Sequence, residues 1–176
     1  MADAPARFSL TPRKLALPFA VAAVVAALDQ WSKLAVVRAF GPYEGKALVV
    51  GFFNLVHVRN TGVAFSMFSG MDPRWSVPVL VLSTLLAASA VVAYLGYLPR
   101  GGAAPPALGL ILGGAVGNLI DRARLGYVID FLDVYVGRHH WPAFNVADIA
   151  ISVGVAVLAL ELLLEPRRPG PDSPSA

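Results

Sequence analysis

The distribution of apolar residues along this chain of 176 residues predicts four membrane-spanning helices, because four stretches are long and almost free of charge. We place these helices at about residues 15–37, 75–98, 104–122 and 146–164. The second is the clearest, since no charged residue lies between Trp75 and Pro99 and since Arg74 and Arg100 bound it. Four spans place both termini on one side of a membrane and both long connections on the other.

The first apolar stretch has two interpretations. A basic start at Arg13 and Lys14, followed by an alanine-rich apolar run, is also typical of a cleavable signal peptide. We favour a retained helix, because the helical pattern continues past Asp29 and Lys33 towards Arg38.

Between the first and second helices the pattern becomes strand-like. Residues 46–68 are rich in valine and phenylalanine, with Asn60, Thr61 and Gly62 in the middle. Valine and aromatic residues favour strands, whereas asparagine and glycine favour turns. The segment is too interrupted to span a bilayer, so we predict short strands around a turn, resting on the membrane surface.

The composition supports a membrane protein of one domain, because 57% of the residues are hydrophobic. We assign residues 1–165 to this domain and residues 166–176 to a disordered tail. The net charge of +3 comes from scattered basic residues without a basic stripe, so we do not expect a nucleic-acid partner. The absence of cysteine excludes disulfides and thiolate metal sites.

Acidic residues cluster where the third and fourth helices are joined. Only 14% of the chain is charged, yet four aspartates lie here: Asp121, Asp130, Asp133 and Asp148. Ionisable groups at a membrane boundary are costly, which points to function. A loop containing Gly137 and Pro142 can fold back and bring Asp130 close to Asp148. Two adjacent carboxyl groups share a proton, and such a pair can activate water for attack on an amide.

The aspartates also have simpler interpretations. Asp133 follows Asp130 by three residues and competes for its role, and the residue pattern alone does not choose between them. Asp148 follows Asn145 with the spacing of a helix capping box. Asp121, next to Arg122, is more typical of a local salt bridge and hydrogen-bond network than of a catalyst. The alternative function is a small carrier or scaffold whose buried aspartates relay protons, but its carboxylates would be expected near the middle of the spans.

Three further polar sites remain open on the residue pattern. Asp29 and Lys33 are four residues apart on a helix, so they form an interfacial salt bridge or orient a partner's backbone or a lipid headgroup. Asn60 is either a turn residue or a ligand contact. The histidines lack a third metal ligand at suitable spacing, so we expect no metal at His57, His139 or His140.

Five motifs run along the chain from residue 29 to residue 148: Asp29-Gln-Trp-Ser-Lys33, Asn60-Thr-Gly-Val-Ala-Phe-Ser66, Gly117-Asn-Leu-Ile-Asp-Arg122, Val128-Ile-Asp-Phe131 and Phe144-Asn-Val-Ala-Asp148. Taken together, and in this order, they resemble the motifs of bacterial lipoprotein signal peptidase (signal peptidase II), a family of membrane aspartic peptidases.

The resemblance implies roles for particular residues. It makes Asp130 and Asp148 the catalytic dyad, in preference to Asp133. Positions that support the dyad or bind substrate match Asn60, Gly62, Asn118, Arg122, Asn145 and Ala147, with Gly62 and Ala147 closer to a structural role. Structural polar positions match Asp29, Lys33 and Asp121.

The resemblance also implies a fold and an activity. The fold is a membrane all-α bundle of four transmembrane helices with a small extracytoplasmic β-cradle at residues 46–68. The activity is removal of the signal peptide from diacylglyceryl-modified prolipoproteins, by cleavage before the lipidated cysteine. We therefore expect a monomer of the bacterial inner membrane with cytoplasmic termini and an extracytoplasmic site. Its partners are prolipoproteins, membrane lipids and globomycin-type inhibitors, and it needs no metal or other cofactor.

Overall fold

Four long helices form a bundle in the computed structural model, which describes residues 8–62, 73–98 and 102–164. The helices are α1 (Pro12–Ala39), α2 (Pro73–Tyr97), α3 (Ala104–Leu125) and α4 (Val146–Leu164). Each is long and apolar enough to cross a membrane. Part of the predicted β-cradle, residues 63–68, and the predicted disordered tail, residues 166–176, lie outside the described residues.

Helix α3 is the most buried of the four helices and lies between α1 and α4. Its glycines face neighbouring backbone at close range, since a Cβ on Gly113 would lie 2.7 Å from the carbonyl oxygen of Ala22 in α1. On the other side, a Cβ on Gly154 of α4 would lie 2.6 Å from the carbonyl oxygen of Ala107. Small residues at helix contacts allow such approach, so glycine determines how tightly the bundle packs.

A four-stranded antiparallel sheet lies at one end of the bundle. Its strands, in spatial order, are β1 (Gly45–Val49), β2 (Phe53–Asn60), β3 (Val128–Val136) and β4 (His139–His140). The predicted segment contains β1 and β2, but the turn between these strands lies at residues 50–52 and not at residues 60–62, where the residue pattern placed it. The sequence prediction missed β3, which pairs with β2 so that Asp130 lies opposite Val58. The sheet therefore joins the two connections that follow α1 and α3.

Two local features place α4 beside β3. Helix α3 ends at Leu125 and is capped by Gly126, whose φ of 78° is readily adopted by glycine, and the chain then turns into β3. After β4, Phe144 and Leu132 exchange two backbone hydrogen bonds. The N···O distance is 3.0 Å where Phe144 donates and 2.8 Å where Leu132 donates. The first residues of α4 are thereby held against the middle of β3.

Candidate active site

Asp130 is buried on β3 and is held by two side-chain amides. Only 2% of its surface is exposed. The Asn60 Nδ2 group donates to Asp130 Oδ2 at 2.8 Å, and the Asn145 Nδ2 group donates to Asp130 Oδ1 at 2.7 Å. Asn60 Oδ1 also accepts the N–H of Gly62 at 2.9 Å. Asn60 is thus both a turn residue and a support for Asp130.

Asp148 lies in the first turn of α4. Its Oδ2 accepts the backbone N–H of Asn145 at 3.1 Å, while its own N–H donates to Asn145 Oδ1 at 3.0 Å. The predicted capping box is therefore present. The other oxygen, Asp148 Oδ1, takes no part in the capping box. It accepts a hydrogen bond from Asn118 Nδ2 at 2.8 Å.

Two asparagines join the aspartates into one network. Asn145 is fully buried and donates from Nδ2 to Asp130 Oδ1 and, at 3.1 Å, to Asn118 Oδ1. Asn118 in turn donates to Asp148. The structure therefore brings Asp130 and Asp148 together, although they lie on different elements, because two consecutive amides connect their carboxyl groups.

A cavity of about 740 Å³ opens beside this network. Both aspartates line it, together with Asn60, Asn118 and Arg122. The other walls are largely apolar and include Val128, Trp141, Phe144, Ile149 and Val153. A concave site that combines apolar walls with a few convergent polar groups is typical of ligand binding.

Burial changes the acidity of Asp130. The pKa of this carboxyl is raised to about 7, chiefly by loss of hydration and also by the charge of Asp148. Hydrogen bonds from Asn60 and Asn145 and the charge of Lys33 act in the opposite direction and limit the rise. Asp130 therefore retains its proton below about pH 7, whereas an ordinary aspartate is ionised there. A carboxyl whose pKa is raised in a cavity is a candidate general acid.

Asp133, the rival for the role of Asp130, lies in a different environment. Its Oδ1 is 2.8 Å from His140 Nδ1, and its Oδ2 accepts a hydrogen bond from Asn54 at 2.8 Å. Side chains three residues apart on a strand point to opposite faces of the sheet. Asp133 is therefore separated from Asp148 and does not line the cavity.

The structure contains the local salt bridge and hydrogen-bond network predicted at Asp121, but their partners do not include Arg122. Asp121 instead accepts hydrogen bonds from Gln30 Nε2 at 2.9 Å and from the backbone N–H of Ile129 at 3.1 Å, and it pairs with Lys33 at 2.9 Å. Adjacent residues on a helix point in different directions, so Arg122 faces the cavity while Asp121 faces α1. Arg122 donates to the carbonyl oxygen of Gly62 at 3.3 Å.

The predicted ion pair of Asp29 and Lys33 is present, with 2.8 Å between Oδ2 and Nζ. It is buried inside the protein and does not lie at an interface with lipid. Asp29 Oδ1 accepts the N–H of Ala147 at 3.0 Å. The backbone that this pair orients is therefore that of the chain's own helix α4.

Sequence reasoning missed two contributors to the site. Gln30 donates to Asp121 and, at 3.1 Å, to the carbonyl oxygen of Gly117. Trp141 lines the cavity between β4 and α4. A polar residue next to Asp29 in an apolar helix was a signal for Gln30, whereas nothing in the residue pattern placed Trp141 at the cavity. Within the described ranges, no group of three or more His, Asp or Glu side chains could hold a metal ion.

Comparison with known proteins gives consistent results. The family model described as Signal peptidase (SPase) II matches residues 21–164. A lipoprotein signal peptidase of Geobacter metallireducens is 47% identical over 154 residues, which cover 87% of this chain and 94% of that relative. A lipoprotein signal peptidase of Cupriavidus taiwanensis is 47% identical over 152 residues, which cover 85% of this chain and 84% of that relative.

The fold is similar to that of solved membrane enzymes. One structure, described as that of a bacterial membrane enzyme, matches with a TM-score of 0.77 at 25% identity, over 92% of this chain and 96% of the other. The predicted class of fold is thereby confirmed. Since the family model covers most of the chain and the relatives match over nearly their full length, the protein belongs to the signal peptidase II family of membrane peptidases.

Proposed function

We propose that this chain is an aspartic endopeptidase that removes the signal peptide from diacylglyceryl-modified prolipoproteins, cleaving before the lipidated cysteine. Its relatives are named lipoprotein signal peptidases. The observation that carries the aspartic mechanism is the placement of Asp130 and Asp148 on one cavity wall, joined through Asn145 and Asn118.

In the proposed reaction the two carboxyl groups have different tasks. Asp148 lies at the N-terminus of α4, where the helix dipole favours a carboxylate, and it takes a proton from the attacking water. Asp130 is the partner that holds the proton, because burial raises its pKa to about 7. It donates a hydrogen bond to the scissile carbonyl oxygen and then passes its proton to the leaving amide nitrogen. Water attack forms the new C–O bond, and collapse of the tetrahedral intermediate breaks the C–N bond.

The shape of the cavity suits a substrate that is partly in the membrane. Its polar residues surround the dyad, while Ile149 and Val153 of α4 and the rings of Trp141 and Phe144 provide apolar walls. We propose that the signal-peptide backbone contacts Asn60 and Arg122 and that acyl chains lie along the apolar side. Confinement to the bilayer removes part of the entropic cost of encounter.

The proposed setting is the bacterial inner membrane, with both termini in the cytoplasm and the cavity at the extracytoplasmic face. In the turn between β1 and β2, 90% of the surface of Val50 and 52% of the surface of Phe52 are exposed, which suits contact with lipid. We propose that the enzyme acts as a monomer without metal or other cofactor. Globomycin-type inhibitors would bind in the same cavity.

Replacement of the aspartates tests the mechanism. Purified Asp130→Asn and Asp148→Asn should each lose activity by about a thousandfold or more, because neither amide can transfer a proton. The measurement is the shift of a lipidated precursor on a gel, in parallel with an unlipidated precursor that should remain uncut. Asp133→Asn is the matched control, since this residue lies away from the cavity, and it should keep most of the activity.

Full cleavage by either dyad variant would defeat the mechanism. Inactivation by a chelator, with recovery on addition of zinc, would replace it by metal-dependent hydrolysis.

A further inference from the structure

Lys33 occupies an unusual position for a lysine, because only 2% of its surface is exposed. Its Nζ atom lies 2.8 Å from Asp29 Oδ2, 2.9 Å from Asp121 Oδ2 and 3.0 Å from Asn118 Oδ1. An ammonium group has three N–H donors and no acceptor. The three contacts therefore use its full capacity, and one of them is directed at a residue that touches Asp148.

The contact with Asn118 determines which way its amide faces. Asn118 Oδ1 accepts from Lys33 and from Asn145, and its Nδ2 donates to Asp148 Oδ1. A rotated amide would place its N–H₂ against the ammonium and its oxygen against the carboxylate. Both contacts would then be repulsive, because each would join two donors or two acceptors.

We propose that Lys33 is a positioning residue of the peptidase: by holding Asn118 Oδ1, it keeps Asn118 Nδ2 on Asp148 in the orientation that the reaction requires. This inference rests on the proposed function of the Asp130–Asp148 dyad. It assigns Lys33 a task in turnover, beyond its contribution to the stability of the helix bundle.

A second route from Lys33 leads to the same carboxylate. Lys33 pairs with Asp29, whose Oδ1 accepts the N–H of Ala147, the residue before Asp148. Lys33 therefore contacts both Asn118, which binds the side chain of Asp148, and Asp29, which binds the backbone N–H next to Asp148.

Several helices and strands contribute charged side chains to the surroundings of the dyad. Helix α1 contributes Asp29 and Lys33, α3 contributes Asp121 and Arg122, β2 contributes Arg59 at the cavity wall, β3 contributes Asp130, and α4 contributes Asp148. Among these groups, the charge of Lys33 lowers the pKa of Asp130. Removal of this charge should therefore raise the pKa of Asp130, so that the alkaline limb of activity moves to higher pH.

The test is Lys33→Met in the purified full-length protein, with kcat, KM and the pH profile measured on a lipidated precursor. We expect kcat to fall by about tenfold or more with KM within about twofold, because the change affects a contact of the reacting group. The alkaline limb should move upward by about 0.5 pH unit. Lys46→Met, which changes an exposed lysine on β1, is the matched control and should behave like the wild type.

Lys33→Met leaves two buried carboxylates without their cation, so a second variant removes one of them as well. In Lys33→Met/Asp121→Asn the sum of charges of Asp29, residue 33 and residue 121 stays at −1, as in the wild type. The contact to Asn118 is still lost, and kcat should again fall. The thermal unfolding curve of each variant gives the fraction of enzyme that is folded at the assay temperature.

Wild-type kcat and pH profile per folded molecule, in either variant, would overturn the inference. In that case the proposed function would still stand if Asp130→Asn and Asp148→Asn abolish cleavage. Retained cleavage in those two variants would instead defeat the proposed function itself.

Discussion

At the scale of single residues, the same side chain has different chemistry according to its surroundings. Asp130 is buried between two amides and has a pKa of about 7, whereas Asp133 lies beside His140 and Asn54. Asp121 and Asp29 are both held by Lys33. Residue type alone therefore does not identify the general acid, because burial and neighbouring groups decide it.

The raised pKa of Asp130 predicts a pH-dependent stability. Since the folded pKa of about 7 lies above the ordinary value of 3.8, the folded state binds more protons between these values than the unfolded state. The free energy of unfolding of the wild type should therefore fall as pH rises from about 4 to about 7. Asp130→Asn lacks this titration, so its stability relative to wild type should increase across the window, by on the order of 4 kcal/mol.

Thermal unfolding in detergent at pH 4.5, 6 and 8 measures this difference. The variant also loses one hydrogen-bond acceptor, but that cost is the same at every pH. Parallel unfolding curves for the two proteins across the pH range would contradict the predicted environment of Asp130.

At the scale of elements, the site depends on how closely α3 approaches its neighbours. A Cβ on Gly117 would lie 2.6 Å from Asp29 Oδ2. Asp29 cannot move aside easily, because it is buried and held by both Lys33 and the N–H of Ala147. The absence of a side chain at residue 117 is therefore needed for the contact of α1 with the start of α4.

Gly117→Ala should destabilise the protein by about 1–3 kcal/mol, because the added methyl group overpacks a rigid contact. It should also lower peptidase activity, since the Asp29–Lys33 pair would be displaced. Thermal unfolding and the precursor assay measure the two effects. Gly51→Asn is the control: residue 51 has a φ of 84°, which asparagine tolerates, and nothing lies within 4 Å of a Cβ there. Equal unfolding temperatures for Gly117→Ala and wild type would contradict a rigid contact between α1 and α3 at residue 117.

At the scale of the whole molecule, the site lies at one end of the bundle, while the start of α1 and the end of α2 lie at the other. The sheet and the start of α4 meet at the site, while Lys14 near the N-terminus donates to the carbonyl oxygen of Gly96 at the far end of α2, at 2.8 Å. Four helices of this length cross the bilayer in alternating directions. The basic residues of the sequence do not show which end faces the cytoplasm, because the four-span prediction assigns six of them to the side of the termini and eight to the other.

Single cysteines can determine the orientation, because the chain contains none of its own. We expect Arg138→Cys, at the turn between β3 and β4, to react with a membrane-impermeant maleimide in intact spheroplasts. Ser173→Cys should react only after the cells are opened. Each variant is the control for the other, and the reverse labelling pattern would place the cavity in the cytoplasm.

The family and the class of fold could be predicted from the sequence, and both are confirmed. Long apolar stretches leave few alternatives to spanning helices, because a backbone in lipid must satisfy its own hydrogen bonds. The valine-rich segment likewise indicated β1 and β2. The catalytic roles of Asp130 and Asp148 stay predictions, although the structure places both on one cavity.

Only the tertiary structure decided the position of β3, the partners of Lys33 and the environment of each aspartate. Strand β3 exists because it pairs with β2, which is distant in the chain. Lys33 contacts residues of α1 and α3 because glycine allows these helices to approach closely. Local sequence determines hydrophobicity and helix ends, whereas the packing of distant segments determines burial and hydrogen-bond partners, and these control the acidity of Asp130.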